Sequence, residues 1–113
     1  MSTRSTISIE TPEGIRSIYC HFDGYLEHVG SILKEHYDTP EKINALINLG
    51  SISSLSKDLD MTAAYHRDRK EPLRIQTVSF LGDISAQDYN YVFKDGVWSY
   101  WRESHHFSSM KEV

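Results

Sequence analysis

One cysteine, three prolines and no long apolar run leave this chain with few of the devices that mark secreted or membrane proteins. A lone thiol, Cys20, forms no intrachain disulfide and implies no oxidising compartment. No stretch approaches the ~20 apolar residues that span a bilayer. The opening "MSTRSTISIE" also lacks the apolar centre of a signal peptide. A soluble, cytoplasmic protein is the expectation. Positive charge is in short supply too: 12 Lys and Arg face 16 Asp and Glu, for a net charge of −4. That balance excludes broad binding along a nucleic-acid backbone, which needs a basic surface. Metal-ligand spacing is missing as well. The six histidines include His105-His106, but no Cys-x-x-Cys, His-x-x-x-His or His-Glu-x-x-His pattern occurs. His28 and His36 lie too far apart on one helix to share an ion directly. No metal and no cofactor is expected.

What is present is ordinary in amount and uneven in kind. Hydrophobic residues at 39% and charged residues at 25% suit a folded domain, and 113 residues bury one modest core. Seven Tyr, four Phe and two Trp point to an aromatic core or an aromatic recognition surface. "STISIE" alternates Ile7 and Ile9 with polar neighbours, the period of a half-buried strand. "TPEG" supplies turn residues, and "IRSIYCHF" alternates again, with Ile18, Cys20 and Phe22 on one side and Ser17, Tyr19 and His21 on the other. The pair reads as an antiparallel hairpin.

Asp23 is placed to cap a helix over residues 24–37, whose apolar face is Tyr25, Val29, Ile32, Leu33 and Tyr37. "DTPEK" opens a second helix, with Thr39 as N-cap and Pro40 at its first position; Ile43, Leu46, Ile47 and Leu49 form its buried side and Gly50 its stop. Residues 51–72 show no clear period, and "LRIQTVSFL" reads as a strand whose alternation slips between Ile75 and Val78. In "DYNYVFKDGVWSYWRE", Asp95-Gly96 fits a type I′ turn. That register pairs Phe93 with Trp98 and Tyr91 with Tyr100 on one face, and Asn90 with Trp101 on the other. The tail over 104–113 reads as frayed. The order gives a single α+β domain over residues 1–113: a mostly antiparallel β-sheet with a two-helix hairpin on one face.

"RSTI" at residues 4–7, "YCHFDGY" at 19–25, "EHY…EKINALINLGSISSL" at 35–55 and "YNYVFKDGVW" at 89–98 resemble, in that order, a family of small proteins encoded in bacteriophages and prophages. The resemblance covers the first 55 residues and the stretch from 88 to 98. The family pattern has Trp at the place of Phe22 and Gly-Asp at the place of Gly50-Ser51. Residues 56–72 are shorter than is usual there, and the tail after Trp98 is longer. The resemblance implies a phage accessory protein acting inside an infected bacterium; it supplies no catalytic residue.

The chemistry-bearing residues divide into three sets. Cys20, His21 and Asp23 resemble a nucleophile, base and orienter, but neighbours on a strand point to opposite faces, so Cys20 and His21 do not pair. The histidines, as above, lack the spacing of a metal site. The third set is non-catalytic: Arg4, Thr6, Tyr19, His21, Gly24, Tyr25, Arg67 and Arg69. Here a helix start offers free N–H groups, Gly24 lets a ligand approach the backbone, guanidinium forks suit phosphates, and tyrosines stack on bases. That set fits a small anionic, nucleotide-like ligand, with Asp23 as an opposing charge at the helix start.

Two functions follow as expectations. One is a non-enzymatic phage protein that captures such a ligand, including a nucleotide-derived defence signal of the host. The alternative is an interaction protein whose acidic, aromatic surface binds and blocks a host defence enzyme. A small hydrolase lacks a convincing nucleophile. The Trp98 and Trp101 hairpin offers an edge and faces suited to a homodimer.

Overall fold

The alternating N-terminal residues form the centre of a sheet. In the computed structural model, which describes residues 2–113, β1 (Ser5–Thr11) and β2 (Gly14–Cys20) pair antiparallel across the Pro12-Glu13 turn. β1 is buried on both faces from Ser5 to Ile9, more than a half-buried strand requires. Helices cover one face and residues 81–88 cross the other, and β6 (Tyr89–Lys94) flanks the strand in parallel, from Ser5↔Tyr89 to Ile9↔Phe93.

The second hairpin matches its sequence reading residue for residue. β6 and β7 (Val97–Arg102) pair Phe93↔Trp98, Tyr91↔Tyr100 and Asn90↔Trp101. Asp95 at φ +53° and Gly96 at φ +81° make the left-handed turn that the right-handed strand twist favours.

The first helix departs from expectation. Asp23 caps nothing; it sits at φ +56°, a left-handed conformation that a short polar side chain tolerates. The chain swings off β2 there, and Phe22 is 43% exposed instead of lying beside Ile18 and Cys20. Gly24 then donates its N–H to the Thr3 carbonyl at 2.8 Å. A π-helical turn over Leu26–Gly30 comes next, continued by the short helix α1 (Ser31–His36). Helix α2 (Pro40–Ile47) is as expected: Thr39 Oγ1 accepts from Lys42 N, and Gly50 follows at φ +77°. Val29, Leu33, Ile43, Leu46 and Ile47 pack on Ile7, Ile9, Ile18, Cys20, Tyr91, Phe93 and Trp98. This is the helix face of the sheet.

Residues 51–72 are more ordered than their pattern. β3 (Ile52–Ser54) lies parallel to the end of β2 at Cys20↔Ile52, β4 (Ala63–Ala64) pairs with β3, and α3 (Tyr65–Arg69) follows. Only the far end of the β2 edge remains open, so "LRIQTVSFL" contributes just β5 (Gln76–Val78), antiparallel to Ile15–Ser17. The tail expected to fray is paired instead. A 3₁₀ turn at Phe107–Ser109 leads to β8 (Lys111–Glu112) on β7, because Phe107 and Met110 find apolar partners around Trp101. The described residues thus form an eight-stranded, mostly antiparallel mixed sheet in the order β4-β3-β2-β1-β6-β7-β8, with β5 also on β2. It is an α+β fold.

Candidate functional site

The face away from the helices has an unusual floor. Thr6, Ser8, Ser17 and Asn90 are all buried there, where a covered sheet ordinarily presents aliphatic side chains. Burying such groups is costly unless they are hydrogen-bonded, and they bond to one another. Thr6 Oγ1 donates to Asn90 Oδ1 at 2.9 Å, and Ser8 Oγ donates to Ser17 Oγ at 2.8 Å. Asn90 also ties down the segment above it: Gln87 N donates to Asn90 Oδ1 at 2.8 Å, and Asn90 Nδ2 donates to the Gln87 carbonyl at 2.9 Å. Gln76 does the same further along, its Oε1 accepting from Ser85 N at 2.9 Å. Residues 81–88 are therefore strapped across this outer face, with Ile84 seated on Ile15, Val92 and Trp101.

Beside the strap lies an open polar cleft of about 460 Å³, floored by Thr6, Ser17 and Tyr19 and walled by Arg74, Gln76 and Gln87. Among the described residues, Arg74 is the one charged residue of its lining. Gly50 seats this arginine. A Cβ at Gly50 would lie 2.7 Å from Leu73 Cδ1 and 3.2 Å from the Arg74 backbone N and O. Ser51 N then donates to the Arg74 carbonyl at 3.1 Å. The residue that ends α2 thus also lets residues 73–74 close onto the sheet.

Four of the residues proposed from sequence meet near this cleft. Thr6 and Tyr19 are paired across β1 and β2 and line it. His21 continues from Tyr19, whose hydroxyl is 2.6 Å from His21 Nδ1, while Ser2 Oγ lies 3.3 Å from Nε2. Burial holds the Tyr19 hydroxyl above the ordinary phenol range, with the nearby Arg4 guanidinium pulling the other way. Arg4 is anchored through its backbone N–H to Asp88 Oδ2 at 3.1 Å.

The other four stand elsewhere. Gly24 is no ligand cradle: it is buried, its N–H is already spent on Thr3, and a Cβ there would lie 2.7 Å from Ser5 Cβ. Its carbonyl accepts from Tyr91 Oη at 2.7 Å. Tyr25 precedes the π-turn, half-exposed beside His28 with ring centroids 6.3 Å apart. The anion site imagined at that helix start is therefore not built. Arg67 is a structural staple: Nε donates to Asp68 Oδ1 at 2.8 Å, Nη1 to the Leu59 carbonyl at 2.9 Å, and Nη2 to the Thr62 carbonyl. In return Arg67 holds the Asp68 carboxyl down at about 2. Arg69 lies over the Tyr65 ring at 5.3 Å.

Sequence reading missed Arg74, Ser17, Gln76 and Gln87. One signal was available: Thr6, Ser8 and Ser17 put small polar side chains at successive outward positions of one hairpin, where a solvated face would carry longer, charged ones. The loop residues carried no such signal, because the fold alone brings them to the strands.

Cys20 faces the helix layer, fully buried, and burial pushes its thiol up to about 11. It is a poor nucleophile, and His21 lies on the opposite face. Among the described residues, no three His, Cys, Asp or Glu side chains gather to hold a metal ion, and no helix is long and apolar enough to cross a membrane.

Fold and site together define an α+β sheet domain with one face for packing and a polar cleft on the other. Compared with known proteins, the chain matches no family model, no curated protein and no solved structure.

Proposed function

We propose that this protein is a non-enzymatic binder of a small anionic, nucleotide-like ligand, held in the polar cleft of the outer face. The observation that carries the reading is a floor of hydroxyl side chains with one charged residue, Arg74, in the lining of a cleft of about 460 Å³. That volume lies in the usual range for small-molecule sites. An arginine fork suits a phosphate, and the Gln87 side-chain amide, with a donor and an acceptor side by side, suits a base edge. The resemblance of its sequence blocks to those of phage-encoded proteins supports an accessory, anti-defence role in the host bacterial cytoplasm. Thermal-shift titration with a panel of nucleoside mono-, di- and cyclic phosphates tests it. At least one should raise the melting midpoint of the wild type and leave Arg74→Ala unmoved. A panel that moves neither protein would remove the nucleotide reading.

The alternative, a blocker of a host enzyme, draws on a different surface. Phe22, Tyr25 and Met61 are 43%, 36% and 72% exposed, and Asp23 stands between the first two in its left-handed conformation. Exposed aromatics of this kind anchor protein interfaces. The Trp98 and Trp101 hairpin, expected to offer faces suited to a homodimer, keeps each tryptophan only 5% exposed, and β8 covers part of the β7 edge. Retention of a host protein by the wild type and its loss in Phe22→Ser would favour this reading over the ligand.

A further inference from the structure

The outer face holds a second concavity, at the β1–β2 turn, that shares no lining residue with the polar cleft. It measures about 610 Å³. Ile15 and Val92 form its floor, and Phe80, Leu81, Phe107 and Met110 its walls. Two observations make it a built feature and not a gap between loops. Phe80 and Phe107 meet edge to face with centroids 5.5 Å apart, and Gly82 is what lets them stay there. A Cβ on Gly82 would stand 2.6 Å from Phe80 Cε2 and 3.0 Å from Phe107 Cε1. Gly14, at φ +133°, likewise closes the turn end, where a Cβ would lie 2.8 Å from the Val78 carbonyl oxygen. Phe80 nevertheless remains 55% exposed at the mouth.

The charge at the rim selects the occupant. Glu10, Glu13 and Lys94 are the ionisable lining groups. Lys94 Nζ lies 3.7 Å from Glu10 Oε2, and among the described residues Glu13 has no ion-pair partner. A cavity walled by two phenylalanines and rimmed by one carboxylate without an ion-pair partner complements an aromatic body that carries a cation. The concave shape and the volume suit a small molecule.

We infer that this phenylalanine-walled cleft is a second binding site, for a hydrophobic small molecule bearing an ammonium group, set by Phe80, Phe107 and the Glu13 carboxylate.

The test is a methyl NMR titration of the full chain with two naphthalenes of opposite charge, 1-naphthylmethylamine and 1-naphthylacetate, at low salt. The amine should shift the methyl signals of Ile15, Leu81 and Val92 saturably and leave Ile75, in the polar cleft, unmoved. It should bind roughly two- to fivefold more tightly than the acetate, the ratio an exposed ion pair supplies. Glu13→Gln should erase that ratio, and Phe80→Ser should weaken both probes; both positions are exposed, so the fold is kept. Unmoved methyls with either probe, equal affinities in the wild type, tighter binding of the acetate, or shifts centred on Ile75 would each overturn the inference. Failure here leaves the anion reading of the polar cleft standing, since the two sites are scored by different methyl groups.

Discussion

The two faces of one sheet are built from alternate residues of the same strands, yet they bury different kinds of side chain. On the helix face, Ile7, Ile9, Ile18, Tyr91, Phe93 and Trp98 meet the helices, and the polar atoms of Tyr91 and Trp98 are tied off locally, whereas Ser5 Oγ is buried without a partner. Tyr91 Oη donates to the Gly24 carbonyl, and Trp98 Nε1 donates to the Tyr37 carbonyl at 2.8 Å. On the outer face, one residue along each strand, Thr6, Ser8, Ser17 and Asn90 are buried instead, with a small apolar cluster only at the far end. Burial thus measures stability on one side and pre-arranged polarity on the other. Substitutions on the helix face should cost folding, and those around the cleft should cost binding.

The sharpest contrast comes from Trp98. Trp98→Ala removes a ring packed against Phe93 at 5.3 Å between centroids and breaks its bond to Tyr37. It should cost about 3–5 kcal/mol in urea unfolding; a loss below about 1 kcal/mol would mean that this face does not carry the core.

Alkali probes the same face without mutation. The Cys20 thiol ordinarily titrates near 9.0 and is raised to about 11 by burial. A raised folded pKa favours the neutral thiol, so its contribution is complete below pH 9 and is lost as pH rises through 11. Roughly 2–3 kcal/mol is at stake over that window. Cys20→Ala should flatten this limb of the stability profile, and native Cys20 should resist iodoacetamide at neutral pH. Rapid alkylation of the folded protein would contradict the burial.

Gly96→Val comes next in size. Nothing lies within 4 Å of a Cβ at that position, so only the positive φ is penalised. About 1–2 kcal/mol should be lost, read as a lower melting midpoint. An unchanged midpoint would remove the type I′ assignment.

The smallest stability effect belongs to the outer face. Thr6→Val deletes one hydrogen bond to Asn90, whose Oδ1 still accepts from Gln87. It should cost about 1 kcal/mol of folding stability while weakening ligand binding. A loss as large as that of Trp98→Ala would erase the distinction between the faces.

These contrasts follow the line between what was legible in the sequence and what was not. The β6–β7 register could be read because Asp95-Gly96 fixes it locally, and α2 because Thr39 and Pro40 mark its first turn. Asp23 misled for an equally local reason: a residue that caps helices also tolerates the left-handed conformation, and the Gly24 bonds to Thr3 and Tyr91 decide between the two. β3 and β4 are too short to carry a period; β3 exists because the β2 edge at Cys20 offers it a partner, and β4 because β3 offers the next. The polar cleft was half legible. Thr6, Tyr19 and their neighbours follow from strand alternation, whereas Arg74 reaches the cleft only because Gly50 lacks a side chain.

The division of labour between the faces is tested most directly by native mass spectrometry. Wild type and Arg74→Ala, with matched melting midpoints, are each incubated with the small-molecule fraction of a bacterial lysate. An anionic small molecule should remain on the wild type and be absent from the variant. Equal retention by both proteins, or a bare wild type, would contradict the outer face as a site for anions.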